Sequence, residues 1–80
     1  MNFEQRLKTY KLWNGNISPD LLAAAGFYYT SKLDVVQCIY CNICIFKWKK
    51  GDCPFEEHIK WSGSCLLAKN LLLYKQTEFF

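Results

Sequence analysis

The sequence lacks any apolar run long enough to cross a membrane and any stretch that resembles a secretory signal. Its longest apolar run, LLAAAGFYY at residues 21–29, is well short of the roughly 18 residues that suggest a membrane span. The N-terminal MNFEQRLKTYKLW has no uninterrupted apolar segment of the signal-peptide kind. We therefore expect a soluble protein with no membrane partner, in a reducing cytoplasmic compartment where clustered thiols favour metal binding over disulfides.

The chain also lacks strong net charge, internal repeats and low-complexity segments. Its formal charge is +3 over 80 residues, and three thiolates with one Zn²⁺ would change this to only about +2, which is too small to predict a nucleic-acid partner. The length fits one domain. Apolar residues make up 51% and aromatic residues 18% of the chain, so we expect a compact core and apolar surface for a protein partner.

Short helices around a small sheet are the predicted elements, which makes the fold class α+β. Apolar residues at i, i+4 and i+7 predict a helix over residues 2–12. A second helix is predicted over 20–25. Ser18 is its expected N-cap, the following Pro takes the first helical position, and Gly26 ends the helix. A three-stranded antiparallel sheet surrounded by four or five helices is expected, with strands at 27–30, 34–40 and 43–48 and further helices at 54–61 and 65–74.

The five cysteines are an odd number, which argues against a closed set of disulfides. The stretch CIYCNIC, residues 38–44, contains two overlapping C-x-x-C pairs, and a structural zinc site then needs two more ligands downstream. His58 and Cys65 are well placed to supply them. Two ligand sets follow, namely Cys38, Cys41, His58 and Cys65 or Cys41, Cys44, His58 and Cys65.

Backbone conformation after the second cysteine favours the first set. A zinc knuckle turns tightly at that point, where a positive φ is common. Asn42 follows Cys41 and tolerates positive φ, whereas the β-branched Ile45 follows Cys44 and does not. We therefore predict that Cys38 and Cys41 are the ligand pair. Three thiolates and one imidazole would close the coordination shell, so the metal is expected to be structural and the protein is not expected to be an enzyme.

A second group of candidate functional residues lies in GDCPFEEHIKW, residues 51–61. If a helix begins near Pro54, then Glu57 and Trp61 share one stripe at i and i+4, and Asp52 lies just before the helix. Two carboxylates beside a large aromatic ring and a strand suit an extended peptide with a free ammonium group. The simpler interpretation is that both carboxylates only complement the N-terminus of the helix.

Together these residues resemble a known family. The pattern C-x2-C-x16-H-x6-C, set in LLAAAGFYYT…DVVQCIYC…W…GDCPFEEHIKW…C, is similar to the baculoviral inhibitor-of-apoptosis repeat, the BIR domain. The resemblance runs from about Arg6 to Leu67, so we expect one BIR domain over 1–80 with its core at about 6–67 and an apolar C-terminal helix or tail at 68–80. It implies one structural Zn²⁺ on Cys38, Cys41, His58 and Cys65.

The resemblance also implies a function. BIR domains of the peptide-binding type take the exposed N-terminal Ala of motifs such as Ala-Val-Pro-Ile on caspases and pro-apoptotic antagonists, which makes them apoptosis inhibitors. Carried over by position, Asp52 and Glu57 would hold the ammonium group. Ile45, Trp48 and Trp61 would enclose the Ala and Pro side chains, and Cys44 and Phe46 would offer backbone hydrogen bonds. Trp48 has an equally weighted alternative as a purely core residue.

Some positions depart from the family pattern, and an alternative function stays open. Cys53 stands where the family usually has an Asp, which removes a helix N-cap. The chain ends at Phe80 without a RING-type Cys/His array, so we expect a single-BIR protein without ligase activity, either a viral decoy or a truncated relative. The alternative is the mitotic-regulator type, which reads a histone N-terminal tail and dimerises, here weakly through the apolar C-terminal segment.

Overall fold

The computed structural model describes residues 1–69 of the 80-residue chain. A small antiparallel sheet is flanked by short helices, which confirms the α+β prediction. Residues 66–69 form a further helical turn at the start of the predicted helix 65–74, and the rest of that prediction lies outside the described residues. In chain order the elements are α1 (Phe3–Lys8), α2 (Pro19–Ala24), β1 (Phe27–Tyr29), β2 (Val36–Cys38), β3 (Cys44–Ile45) and α3 (Pro54–Trp61).

Helix α1 is shorter than the predicted helix 2–12. It begins with a capping box between Asn2 and Gln5, as expected for a stable N-terminus. It ends because the hydroxyl of Thr9 donates to the carbonyl of Arg6 at 2.6 Å and accepts from the backbone N–H of Tyr29 at 2.8 Å. The chain then turns inward, and the buried Tyr10 hydroxyl donates to the carbonyl of Phe27 at 3.1 Å.

Helix α2 has the predicted end signals. Pro19 occupies its first position, and Gly26 follows it with φ +98°, a conformation that favours glycine. A Cβ at Gly26 would come within 2.7 Å of the Leu67 side chain. Gly26 therefore allows the C-terminal part of the described chain to pack closely against the end of α2.

The sheet has the strand order β1-β2-β3, so β3 lies at an edge. Both pairs are antiparallel, with Phe27 opposite Cys38 and Val36 opposite Ile45. The strands are shorter than predicted, and β3 contains only two residues. Its end is fixed from outside the strand, because the Asp34 carboxylate accepts the backbone N–H groups of Lys47 at 3.0 Å and Trp48 at 2.8 Å.

The core lies between the sheet and the helices. Phe27 is fully buried and packs against the ring of His58 at 4.5 Å between centroids and against Trp48 at 6.2 Å. A second aromatic group, formed by Tyr10, Trp13 and Tyr29 with centroids 5.0–5.9 Å apart, joins the segment after α1 to β1. None of the helices within residues 1–69 has the length and apolar character to cross a membrane.

Candidate metal centre and peptide groove

The first two ligand candidates lie on the turn between β2 and β3. Cys38 is the last residue of β2, and its sulfur accepts the backbone N–H groups of Tyr40 at 3.3 Å and Cys41 at 3.5 Å. Asn42 has φ +64° and donates its N–H to the carbonyl of Cys38 at 3.1 Å. The predicted positive φ after Cys41 is therefore confirmed, and the turn places both sulfurs on the same side.

His58 and Cys65 approach the same point from α3 and from the segment that follows it. His58 is 0% exposed, and its Nδ1 lies 2.9 Å from the carbonyl oxygen of Ala25. Because a carbonyl only accepts, Nδ1 carries the proton and Nε2 keeps its lone pair. Nε2 lies 3.6 Å from Sγ of Cys41. The Ala25 carbonyl thus fixes the tautomer that a metal requires.

These side chains form one cluster that fits a single zinc ion. The ligand atoms of Cys38, Cys41, His58 and Cys65 all lie within 4.8 Å of one another. Ligands at about 2.0–2.3 Å from a common Zn²⁺ are about 3.3–3.8 Å apart in a tetrahedron, so the cluster needs only a small contraction. Cys44 is exposed and lies outside the cluster, which decides between the two ligand sets considered from the sequence.

The two knuckle thiols have opposite pKa shifts. Burial raises the pKa of Cys38 to about 11, against the lowering effect of the backbone N–H groups of Cys41 and Tyr40. Burial also raises the pKa of Cys41, but hydrogen bonds to its sulfur, led by those of the Ser62 side chain and the Ile43 backbone, outweigh it and lower that pKa to about 6. At neutral pH Cys41 is therefore already a thiolate, whereas Cys38 must lose a proton to bind a metal.

A groove runs along the unpaired edge of β3. Its volume is about 560 Å³, which lies within the range of ligand-binding clefts. Six of the seven residues predicted to contact a peptide line it, Trp48 being the exception. The full lining is Ile43, Cys44, Ile45, Phe46, Lys47, Lys49, Asp52, Glu57, Lys60 and Trp61.

The two predicted carboxylates lie together in this groove. One oxygen of Asp52 accepts the backbone N–H of Lys49 at 2.8 Å, and the backbone N–H of Asp52 donates to the Lys49 carbonyl at 3.0 Å. Asp52 is not the N-cap of α3, because that position belongs to Cys53, which makes no side-chain capping bond. Asp52 therefore closes the turn before α3, and Glu57 extends from the helix itself.

Trp61 supplies the large aromatic surface. It is the last residue of α3 and 59% of its surface is exposed. The ammonium group of Lys60 lies 5.0 Å from the centre of its ring. Phe46, which follows β3 and precedes both carboxylates in the chain, is 54% exposed. Trp61 and Phe46 thus give the groove two exposed aromatic rings beside its two carboxylates.

The structure corrects the predicted groove at one residue, Trp48. It is 4% exposed and packs edge-on against Phe27 in the core, which is the alternative considered from the sequence. The bonds from Asp34 to the backbone of Lys47 and Trp48 turn the chain inward at this point. Sequence reasoning missed Asp34, because its contacts span 13–14 residues and have no local pattern.

Comparison with protein families gives a match to the BIR (Inhibitor of Apoptosis domain) model over residues 6–69. Among curated proteins, the chain is 52% identical over 61 residues to Death-associated inhibitor of apoptosis 2 of Drosophila melanogaster, covering 75% of this chain and 12% of that protein. It is 38% identical over 69 residues to Apoptosis inhibitor IAP of Cydia pomonella granulosis virus, covering 85% and 25%. The chain thus spans a quarter or less of the length of these relatives.

Among solved structures, the chain is similar to DIAP1 BIR1 bound to a Grim peptide. The TM-score is 0.77 at 37% identity, covering 82% of this chain and 69% of that chain. It is equally similar to an autoinhibited dIAP1-BIR1 domain, with a TM-score of 0.78 at 37% identity over 82% of this chain and 70% of that chain.

Proposed function

This chain belongs to the BIR family of Inhibitor of Apoptosis domains, and from this premise we propose that it captures peptides that begin with a free N-terminal Ala. The proposed partners are caspases and pro-apoptotic antagonists that expose motifs of the Ala-Val-Pro-Ile type. Sequestering them would make the protein an anti-apoptotic binding module in a reducing compartment. The family match and the likeness to a BIR domain solved with a Grim peptide support a peptide-binding role.

The groove at the edge of β3 is the observation that carries the proposal. A peptide would extend the sheet with main-chain hydrogen bonds to Cys44 and Phe46. Its ammonium group would be held by Asp52 and Glu57, which line the same groove. The Ala methyl group and the Pro ring would pack mainly on Trp61, because Ile45 lines the groove with only 6% of its surface exposed. Acetylation removes the positive charge of the amine, so it should remove most of the binding.

The metal centre would serve this function by holding the fold. Cys38, Cys41, His58 and Cys65 would bind one Zn²⁺, which would supply cross-links between the β2–β3 turn, α3 and the segment after it. With four protein ligands no position would remain for a water or a substrate. We therefore propose a structural role for the ion and no catalytic activity for the protein.

The test is a titration of the zinc-loaded 80-residue protein with Ala-Val-Pro-Ile peptide and with the same peptide acetylated at its N-terminus. Tryptophan fluorescence is a suitable signal because Trp61 is exposed in the groove. We expect saturable binding of the free amine and at least a tenfold weaker response to the acetylated form. Equal binding of both forms, or no binding of either at high micromolar concentration, would refute the proposal.

A further inference from the structure

The mouth of the groove carries more positive than negative charge. Lys47, Lys49 and Lys60 are exposed and line it, against the two carboxylates of Asp52 and Glu57. Three ammonium groups and two carboxylates leave the lining with a net charge of +1. A peptide ammonium that enters between the carboxylates would raise this to about +2. A peptide with no negative charge would therefore leave the occupied groove positively charged.

The lysines have no charged partner among the described residues 1–69, where none of their ammonium groups forms an ion pair. That of Lys60 lies 5.0 Å from the centre of the Trp61 ring. Asp52 bonds the backbone N–H of Lys49 and leaves the Lys49 side chain free for another anion. The positive charge of the rim is thus available to a ligand.

The geometry of a bound strand decides which peptide residues meet these lysines. Side chains alternate along an extended strand, so a peptide whose first and third residues face Trp61 turns its second and fourth residues toward the rim. Lys47 and Lys49 are exposed just after β3, whereas Lys60 lies over the ring of Trp61, which forms the apolar wall. The charge of the second and fourth residues is therefore the property that this groove can read beyond the N-terminal Ala.

We propose that the preferred ligand is an acidic peptide, with a free N-terminal Ala followed by Asp or Glu at its second or fourth residue. This inference rests on the proposed function and narrows its ligand class. The lysine rim would attract such a side chain and repel a basic one. The same rim therefore opposes a basic tail as the ligand, which is what the histone-reading alternative would require.

The experiment compares peptides that differ only in one charge. Ala-Glu-Pro-Ile, Ala-Gln-Pro-Ile and Ala-Lys-Pro-Ile are titrated into the zinc-loaded full chain at 50 mM and 300 mM NaCl, and Ala-Val-Pro-Glu is compared with Ala-Val-Pro-Gln in the same way. At low salt we expect Glu to bind about threefold to tenfold more tightly than Gln at one of the two positions, and Lys to bind more weakly than Gln. The difference should shrink at 300 mM because exposed charges are screened.

Substitutions of the lysines that line the groove identify the source of the preference for Glu over Gln. The double variant Lys47→Gln with Lys49→Gln should bring the Glu-to-Gln ratio close to one. The double variant Lys8→Gln with Lys11→Gln is the matched control, because it removes the same charge from two exposed lysines that do not line the groove, and it should leave the ratio unchanged. If the control lowered the ratio as much as the groove variant, net charge and not the groove lysines would be the cause, and the inference would be wrong.

The inference and the proposed function fail in different ways. If free-amine Ala-Val-Pro-Ile binds and its acetylated form does not, but Glu, Gln and Lys peptides bind equally, the acidic preference is refuted and the peptide groove stands. If no free-amine peptide binds the zinc-loaded protein, both are refuted.

Discussion

The metal cluster and the peptide groove take their residues from the same elements of the fold, but the cluster is mostly buried whereas the groove is mostly exposed. His58 and Glu57 are neighbours on α3, yet His58 is 0% exposed in the cluster and Glu57 lines the groove. Cys41 and Cys44 are three residues apart on one turn, yet only Cys41 belongs to the cluster. Position on the fold, and not residue type, decides which chemistry each side chain performs.

The difference lies in what each region contributes to folding. Three of the four cluster residues are buried and Cys41 is half-buried, and contacts with the backbone hold His58 at Ala25 and Cys38 at the amides of its own turn. The groove residues Phe46 and Trp61 are more than half exposed, so the core hardly depends on them. Variants in the cluster should therefore abolish fold and binding together, whereas variants in the groove should change binding alone.

The largest expected effect is that of His58→Ala. The substitution removes a ligand and the buried contacts of its ring with Phe27. Structural zinc contributes roughly 10–16 kcal/mol to the folding of small domains, while a domain of this size has only a few kcal/mol of its own. We expect the variant to lose zinc and to be unfolded at 25 °C, measured by bound-metal content and near-ultraviolet circular dichroism.

Cys44→Ser is the matched control for this loss. Cys44 is exposed and outside the cluster, so the variant should keep one zinc per chain and a native spectrum. Loss of zinc from Cys44→Ser would show that Cys44 is a ligand and would contradict the division between cluster and groove.

The pH dependence of zinc affinity should show how many protons zinc displaces from the cluster, those of the two knuckle thiols among them. The pKa of Cys38 is raised to about 11 and that of Cys41 is lowered to about 6. Between these values Cys38 is a thiol in the free protein, so zinc must displace its proton, and the apparent affinity should rise at least about tenfold per pH unit. Below pH 6 Cys41 is protonated as well, and the dependence should steepen.

Competition with a chromophoric chelator from pH 5 to pH 8.5 measures this slope. Peptide affinity per zinc-loaded molecule should change in the opposite direction and fall between pH 7 and pH 8.5, because the α-amino group of the peptide, with an ordinary pKa of about 7.7–8.0, loses the charge that Asp52 and Glu57 would hold, while the groove contains none of the four cluster residues. A zinc affinity that is flat across this range would show that Cys38 gives up no proton to the metal.

Trp61→Ala should have an intermediate effect, confined to the groove. The ring is 59% exposed, so its loss should change the free energy of unfolding by less than about 1 kcal/mol. As the main apolar surface for the peptide it should behave as a hot spot, and we expect a loss of about 2 kcal/mol, or roughly 30-fold in Kd for Ala-Val-Pro-Ile. Calorimetry measures the affinity without relying on the lost fluorophore. Unfolding of this variant would contradict the independence of the groove.

The same division explains how much could be predicted from the sequence. The knuckle was predictable because its signal is local: Asn42 follows Cys41 and takes the positive φ that Ile45 could not. The α3 stripe was likewise predictable, since Glu57 and Trp61 lie one helical turn apart and both line the groove.

The features that were wrong or missed depend on contacts between distant parts of the chain. Helix α1 ends at Lys8 because the Thr9 hydroxyl bonds the backbone of Tyr29, 20 residues away. Trp48 enters the core as Asp34 binds its backbone N–H across 14 residues. Neither bond has a periodicity or a spacing that one sequence would reveal, so the local pattern predicted a longer helix, and the family resemblance alone implied a place for Trp48 in the groove.

Cys53→Ser should have the smallest effect and tests the junction between the two regions. Cys53 is the N-cap of α3, with an extended backbone at φ −101° and ψ 115° but no side-chain capping bond. A serine hydroxyl in the same place could accept from the N–H of Glu56, and the sequence would then read Ser-Pro-Phe-Glu, a capping-box pattern. We expect a stabilisation of about 0.5–1 kcal/mol, measured by urea unfolding at a fixed excess of zinc.

Cys44→Ser makes the same chemical change at an exposed position of β3 and should shift the free energy of unfolding less. If Cys53→Ser gave no gain in the free energy of unfolding over Cys44→Ser, the contacts of the Cys53 thiol would already stabilise the helix as much as a capping hydrogen bond does. The start of α3 would then belong with the metal cluster, whose residues stabilise the fold, and not with the groove.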